Sequence, residues 1–326
     1  MLLLLLQYQK MKKRIRIAVV GTGQFGALHA RAISQMPEAE VTALVDVNDE
    51  SARQLGNTLG VKAIASSLDV VIDQGLADAV IIATRADTHL MLAEKVACAG
   101  LAVLVEKPLA HHAADIRAFQ EKLKGNPSVV MVDHLCLFHS LIIPFMKRLD
   151  ETGFRALNFT RHRPESVGRK FCEDHPVQLL MVHDLYVAAQ IMKGEDPVKF
   201  RSTESRNTSG RVDMSWVELQ WADGRIATFQ CHTMLPEGAP ADGWDRLEVF
   251  GNNFYSELTT NPAPWQWMDE KVQWPVNLEI HDSGGMFVTM LRAFLQAVTD
   301  GQVPRGCRVE DALQVQDWIE RLTLNT

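Results

Sequence analysis

The 326-residue chain is poor in cysteine: Cys98, Cys136, Cys172, Cys231 and Cys307 are scattered, odd in number, and form no C-x-x-C pair. Such spacing argues against a disulfide framework and against a zinc site, and a reducing, cytoplasmic setting is expected. Surplus positive charge is absent as well. Against 33 Lys and Arg stand 40 Asp and Glu, a formal net charge of −7, so nothing in the bulk charge favours a nucleic-acid partner. A small anionic ligand is still compatible, because backbone amides at a helix start bind phosphate whatever the net charge. No apolar run approaches the roughly 18 residues that cross a bilayer, and no membrane partner is expected. The leucine-rich start, Met1 to Leu6, lacks the basic lead and long apolar core of a signal peptide. Residues 1–13 are expected to be a disordered or artefactual extension, with Met11-Lys12-Lys13-Arg14 as the natural start.

What is present is ordinary globular composition, 47% hydrophobic and 22% charged, in a length that suits about two domains. Over residues 14–132, short apolar runs alternate with amphipathic stretches. Ile15–Val20, Val41–Val45, Ala79–Ala83, Leu101–Val105 and Val129–Val132 read as strands buried on both faces. Phe25–Met36, Glu50–Leu59, Thr88–Ala99 and Ala113–Leu123 read as the helices between them. That alternation predicts an α/β domain with a doubly wound parallel sheet of the Rossmann kind.

Residues 133–326 read differently. Strand-like stretches follow one another at Arg155–Arg161, Val198–Glu204, Met214–Trp221, Arg225–Thr233, Arg246–Phe250 and Glu257–Thr259. Helices are expected over Pro176–Met192, Gly285–Val298 and Val309–Leu322. This pattern predicts an α+β domain with a large, mostly antiparallel open sheet.

The first chemical signal is Gly21-Thr22-Gly23-Gln24-Phe25-Gly26, a G-x-G-x-x-G placed between a strand and a helix. Its glycines suit a tight turn, close approach of backbone to a pyrophosphate, and close helix–sheet packing. Twenty residues beyond Gly26, Asp46 ends the second strand, where a carboxylate meets a ribose 2′-OH. Val47 and Asn48, just beyond it, offer no Arg to hold a 2′-phosphate, which favours NAD over NADP. The fourth strand ends in Ala83-Thr84, followed by His89. The fifth ends in Glu106-Lys107-Pro108, at the strand tips where open α/β sheets bind ligands.

With these elements, His183-Asp184 and the late Arg308-Val309-Glu310-Asp311-Ala312-Leu313, the chain resembles a known family from about Arg14 to Leu324. It is the glucose–fructose oxidoreductase, inositol dehydrogenase and rhizopine-catabolism (Gfo/Idh/MocA) family. The resemblance implies a two-domain NAD(P)-dependent oxidoreductase that moves a hydride between nicotinamide and a secondary alcohol or ketone of a sugar, nucleotide-sugar or cyclitol. Under it Lys107 is the catalytic lysine and His183 its partner on a substrate helix. Ala83, Thr84, His89 and Glu106 line the cofactor with Gly21, Gly23, Gln24, Phe25, Gly26 and Asp46. A desolvated lysine beside a cationic nicotinamide is expected to exchange its proton near neutral pH.

The chain departs from the family pattern at Leu179, where an Asp usually stands one turn before the His, and at Tyr186. His175 or Asp184 is then expected to take part of the work. His134 is a further substrate candidate, with a plain structural role equally open. Arg161, His162 and Arg163 suit either a phosphate or carboxylate contact or a solvated strand end. The adjacent His111-His112 diverge, so no metal is expected. Trp265 and Trp267 suit sugar stacking, a packing staple or a dimer contact.

Two other functions fit the same fold: reduction of a C=C or C=N bond in a non-sugar ligand, and a non-catalytic dinucleotide sensor. The intact Glu106-Lys107-Pro108 speaks against the sensor. The open sheet of the second domain is expected to pack against another copy, as a homodimer or homotetramer.

Overall fold

The computed structural model describes residues 14–171, 174–236, 238–239, 243–261 and 285–324. The expected extension at 1–13 and the tryptophans Trp265 and Trp267 lie outside the described residues. Two compact units emerge, and their division differs from a single cut after residue 132. Phe287–Ala312 joins the first unit, which otherwise runs to Leu135, while Cys136–Met286 and the residues from Leu313 form the second. The reason is tertiary: a late helix and loop pack on the first sheet, which no local pattern announces.

The first unit alternates β1 (Ile15–Val20), α1 (Gln24–Ser34), β2 (Ala39–Val45), α2 (Asp49–Leu59), β3 (Ala63–Ala65), α3 (Leu68–Asp73), β4 (Ala79–Ile82), α4 (Ala86–Cys98), β5 (Ala102–Glu106), α5 (Ala113–Lys122) and β6 (Val130–Asp133). All six strands are parallel, in the order β3-β2-β1-β4-β5-β6. Every residue of β4 is buried, as are the first four of β5, because helices cover both faces of such a sheet. The short β3 and α3 were not expected from the sequence; each is too brief to show a period. The outer edge of β6 is covered: Val132 N–H donates to Cys307 O at 2.7 Å, so this edge offers no bare ladder.

The second unit holds α6 (Ile142–Thr152), β7 (Ala156–Pro164), α7 (Glu165–Lys170), α8 (Val182–Ile191), and the strands β8 (Lys199–Arg206), β9 (Val212–Gln220), β10 (Ile226–Leu235), β11 (Trp244–Phe250) and β12 (Tyr255–Asn261). Its sheet order is β12-β11-β7-β10-β9-β8, with β7 and β10 parallel and the other neighbours antiparallel. Burial along β9, β10 and β11 largely alternates, the signature of a sheet covered on one face and open on the other. Phe159 and Phe229 stack at 4.8 Å on the covered face. Each such buried side chain contributes roughly 1.5–3 kcal/mol of transfer free energy. The open face carries the stacked His162 and His232, and exposes Trp216, Met234, Phe250 and Tyr255. The last helices are α9 (Met286–Asp300), which falls almost wholly in the first unit, and α10 (Val309–Thr323).

A buried ion network ties α8 to β7 and β11. Arg161 donates to both oxygens of Asp184, at 2.9 and 2.8 Å, and to Asp245 at 2.7 Å. Arg163 donates to Asp245 at 2.6 and 2.9 Å. Two guanidinium groups therefore face two carboxylates. Burial opposes the charge of Asp245, but Arg161 and Arg163 outweigh it and hold its carboxyl below the usual range. At Asp184 burial prevails over the pull of Arg161, and its carboxyl lies above that range.

Asp184→Ala should cost about 3 kcal/mol or more of stability, because it leaves a buried guanidinium short of a counter-ion. Denaturant unfolding measures this, and a loss below about 1 kcal/mol would show that the network does not hold the helix.

Candidate active site

The turn after β1 brings backbone against backbone. Gly21 sits at φ +91°, and a Cβ there would overlap the Ala83 carbonyl. A Cβ on Gly26 would overlap the Gly21 carbonyl, so α1 packs on the sheet only because this residue has no side chain. Gly23 differs, since a Cβ there meets nothing within 4 Å. It is also the N-cap of α1, which has no side-chain cap and no acidic residue in its first turn. Gly23, Gln24 and Phe25 are exposed. The result is a helix N-terminus with unclaimed N–H groups, positive dipole and room in front of it, which suits a pyrophosphate.

Asp46 stands next to this turn. Its carboxylate accepts from Thr22 N–H at 2.6 Å, Thr22 Oγ1 at 2.8 Å and Asn48 N–H at 2.8 Å. Partial burial opposes its charge, yet these donors prevail and hold its carboxyl below the ordinary value. The residue is thus a pre-oriented anion, a fitting partner for a ribose hydroxyl.

The strand order reverses between β1 and β4, so the carboxyl ends of β1, β4 and β5 meet at a switch point of the kind where such sheets bind ligands. Ala83 N–H donates to Val20 O at 2.8 Å. The hydroxyls of Thr84 and Thr88 are 2.8 Å apart. His89, expected beside the cofactor, is buried; its Nδ1 lies 2.8 Å from Pro108 O and its Nε2 3.2 Å from Thr84 O. It acts as a strut between the end of β4 and the Glu106-Lys107-Pro108 segment, where the Lys107–Pro108 peptide is cis.

Lys107 is half-buried at the tip of β5. His134, just past β6, is buried, and burial together with the Lys107 charge pushes its imidazole well below the ordinary value. The structure therefore brings these two expected residues into one electrostatic neighbourhood. Two residues outside the expected site set join them. Asp133 is the register partner of Glu106 across β5 and β6. His29, on α1, places its Nε2 3.0 Å from Glu106 Oε1 and 3.4 Å from Asp133 Oδ2. The available signal was a histidine three residues after the last fingerprint glycine.

The second-unit candidates fare differently. Arg163 and Asp184, named as substrate contacts, are engaged in the ion network described above. His175 accepts at Nδ1 from Val177 N–H at 3.2 Å and donates from Nε2 to Glu204 at 2.6 Å, so both ring nitrogens are committed. His183 lies half-buried on α8. The expected continuous helix from Pro176 is instead a π-helical turn, Val177–Met181, followed by α8. Val182 N–H reaches Val177 O, an i→i−5 bond. The π turn ends immediately before α8, so the stretch leading to His183 is not the uniform α-helix the sequence suggested. Gln178 Oε1 accepts from Gln316 at 3.2 Å.

Both the uncapped helix start and the switch point suit a dinucleotide-binding domain. Residues 15–134 match the model of an oxidoreductase family with an NAD-binding Rossmann fold. The chain is 31% identical over 260 residues to myo-inositol 2-dehydrogenase of Thermotoga maritima, covering 73% of each. It is 24% identical over 250 residues to UDP-N-acetylglucosamine 3-dehydrogenase of Acidithiobacillus ferrooxidans, covering 75% of this chain and 74% of that one. In three dimensions a myo-inositol dehydrogenase from Corynebacterium glutamicum superposes with a TM-score of 0.82 at 22% identity, over 96% of this chain and 98% of that one. The chain belongs to the Gfo/Idh/MocA oxidoreductase family and is an NAD(P)-linked dehydrogenase. No helix among the described residues is long and apolar enough to cross a membrane.

Gly23→Ala should leave thermal stability within about 0.5 kcal/mol of wild type, while weakening NADH binding at least tenfold, as read by nucleotide fluorescence. Unchanged binding would mean that no phosphate approaches this backbone.

Proposed function

We propose that this dehydrogenase uses NAD and oxidises a secondary alcohol of a sugar, nucleotide-sugar or cyclitol, or reduces the matching ketone. The observation that carries the reading is the juxtaposition, at the carboxyl edge of one sheet, of an open helix N-terminus, an anchored anion at Asp46 and a half-buried ammonium at Lys107. Relatives named for inositol and UDP-N-acetylglucosamine support the substrate class. The residues present fit the dinucleotide: Gly21, Gly23, Gln24, Phe25 and Gly26 would hold its pyrophosphate, Asp46 its adenosine ribose, and Ala83, Thr84 and Glu106 its remainder. When bound, the nicotinamide supplies the hydride chemistry.

Lys107 takes the hydroxyl proton during oxidation and returns it during reduction. His183 is the second residue the family resemblance assigns to the chemistry, and His134 helps define the surroundings of the lysine. Asp46 opposes a 2′-phosphate by charge, since its hydrogen bonds hold its carboxyl below the ordinary value and neither Val47 nor Asn48 supplies a guanidinium. Open-face residues Trp216, Met234, Phe250 and Tyr255 support packing of a second copy against the C-terminal sheet, as a homodimer or homotetramer. The four described cysteines are free thiols, which supports a cytoplasmic setting.

An NADH-formation screen over sugars, cyclitols and nucleotide sugars tests the substrate class; absence of turnover across the panel would refute it. Lys107→Ala should lower kcat by about 10²–10⁴-fold with NADH affinity little changed, and a near-wild-type rate would remove the lysine from the mechanism. Asp46→Ala should erode the preference for NAD over NADP, measured as the ratio of kcat/KM for the two cofactors.

A further inference from the structure

The turn after β1 carries one side chain that the helix start does not use. Thr22, between Gly21 and Gly23, is 5% exposed, so its hydroxyl needs partners inside the protein. It has two. Thr22 Oγ1 lies 2.8 Å from Asp46 Oδ2, just past β2, and 2.9 Å from Ser51 Oγ, in the first turn of α2. An ionised carboxylate only accepts, so Thr22 gives its single hydroxyl proton to Asp46. Ser51 then supplies the other contact as donor; its alternative acceptor, the Thr22 carbonyl, is farther away at 3.4 Å. The chain therefore runs from the Ser51 hydroxyl to Thr22 Oγ1, and from the Thr22 hydroxyl to Asp46.

Asp46 has few acceptor positions left. A carboxylate offers about four lone-pair positions, two on each oxygen. Oδ2 takes both the Thr22 N–H, at 2.6 Å, and the Thr22 hydroxyl, and is filled. Oδ1 takes Asn48 N–H at 2.8 Å, which leaves it one open position among the described residues. The backbone is fixed too, since Asp46 N–H donates to Ala65 O at 3.1 Å. Ser51 is held in turn by the Asn48 side chain, which caps α2 and accepts from Ser51 N–H at 3.3 Å. The β1 turn, the end of β2 and the start of α2 thus converge on one carboxylate.

We propose that Thr22, steadied by Ser51, is a positioning residue for cofactor recognition: it occupies Oδ2, so that Asp46 meets the adenosine ribose through Oδ1 alone and accepts a single hydroxyl. The proposal rests on the reading of Asp46 as the ribose partner. A carboxylate that is already oriented loses little freedom on binding, which favours affinity. It also holds its charge in one place, where a 2′-phosphate would meet it, and so strengthens rejection of NADP. The terminal torsion of an Asp side chain is soft. With Val at position 22 the shape and the backbone N–H remain, but the hydroxyl restraint is gone and the carboxylate turns more freely.

Dissociation constants for NADH and NADPH, read by nucleotide fluorescence on the full chain, test this in wild type, Thr22→Val, Thr22→Ser, Asp46→Ala and the Thr22→Val/Asp46→Ala double variant. Thr22→Val should weaken NADH about fivefold or more and NADPH less, while Thr22→Ser, which keeps the hydroxyl, should stay within about twofold of wild type. In the Asp46→Ala background Thr22→Val should have no further effect. Unchanged affinity in Thr22→Val, equal losses for both nucleotides, or a loss that persists without Asp46 would each mark a merely structural role and overturn the proposal. Should Thr22→Val not fold, Ser51→Ala decides: a loss of NADH affinity of about threefold that vanishes without Asp46 supports the chain, and unchanged affinity refutes it. One of the two NADH analogues lacking the adenosine 2′- or 3′-hydroxyl should bind wild type and Asp46→Ala alike; if neither does, Asp46 accepts both hydroxyls and the proposal fails. If Asp46→Ala binds NADH as tightly as wild type, the ribose reading falls and takes the proposal with it. If Asp46→Ala weakens NADH and Thr22→Val does not, the proposal falls alone.

Discussion

The close approach of backbone at Gly21 and Gly26 is the constraint from which the rest follows. With no side chain at Gly26, α1 lies down on the sheet near the Gly21 and Ala83 carbonyls. That contact points the helix start, with its unclaimed amides, at the carboxyl edge of the strands. It also carries His29 to the two carboxylates at the ends of β5 and β6. One packing contact thus serves both the open helix start and the buried His29–Glu106–Asp133 cluster. A methyl group at Gly26 would disturb the two together, whereas one at Gly23 would meet nothing within 4 Å.

Much of the first unit was legible in the sequence because its signals are local. Continuous apolar strands, turn glycines and an acidic residue after the second strand need no knowledge of distant chain, and the strands were placed to within one or two residues. The second unit's strands were legible from alternation for the same reason. What escaped was decided by tertiary structure. Asp133 faces Glu106 only through the register of two strands, and His29 meets both only because α1 packs where it does. Arg163 and Asp184 looked like free polar groups on a strand and a helix, and Asp245, 82 residues from Arg163, could not be seen beside them. The π turn likewise has no signature in composition, yet it interrupts the helix the sequence suggested from Pro176.

The two units handle buried charge in contrasting ways. In the second, two arginines and two aspartates pair at close hydrogen-bonding distance, and the network is neutral and well satisfied. Such a group fixes one arrangement of helix and strands, because any slip would strand a charge in an apolar interior. In the first, the carboxylate of Asp133 has no hydrogen bond among the described residues, and burial with the neighbouring Glu106 charge pushes it above the usual carboxylate range. A satisfied network is rigid scaffolding. An under-satisfied one leaves a buried carboxylate at a cost to folding.

The return of Phe287–Ala312 to the first unit bears on how the molecule is made. Val132 on the edge strand donates to the Cys307 carbonyl, so the amide waits through the synthesis of some 170 intervening residues before its partner exists. The dinucleotide-binding half, although first off the ribosome, is not a self-contained module that can be finished and set aside. A nascent chain halted before that loop carries an open sheet margin, and a fragment cut at the apparent boundary inherits the same defect.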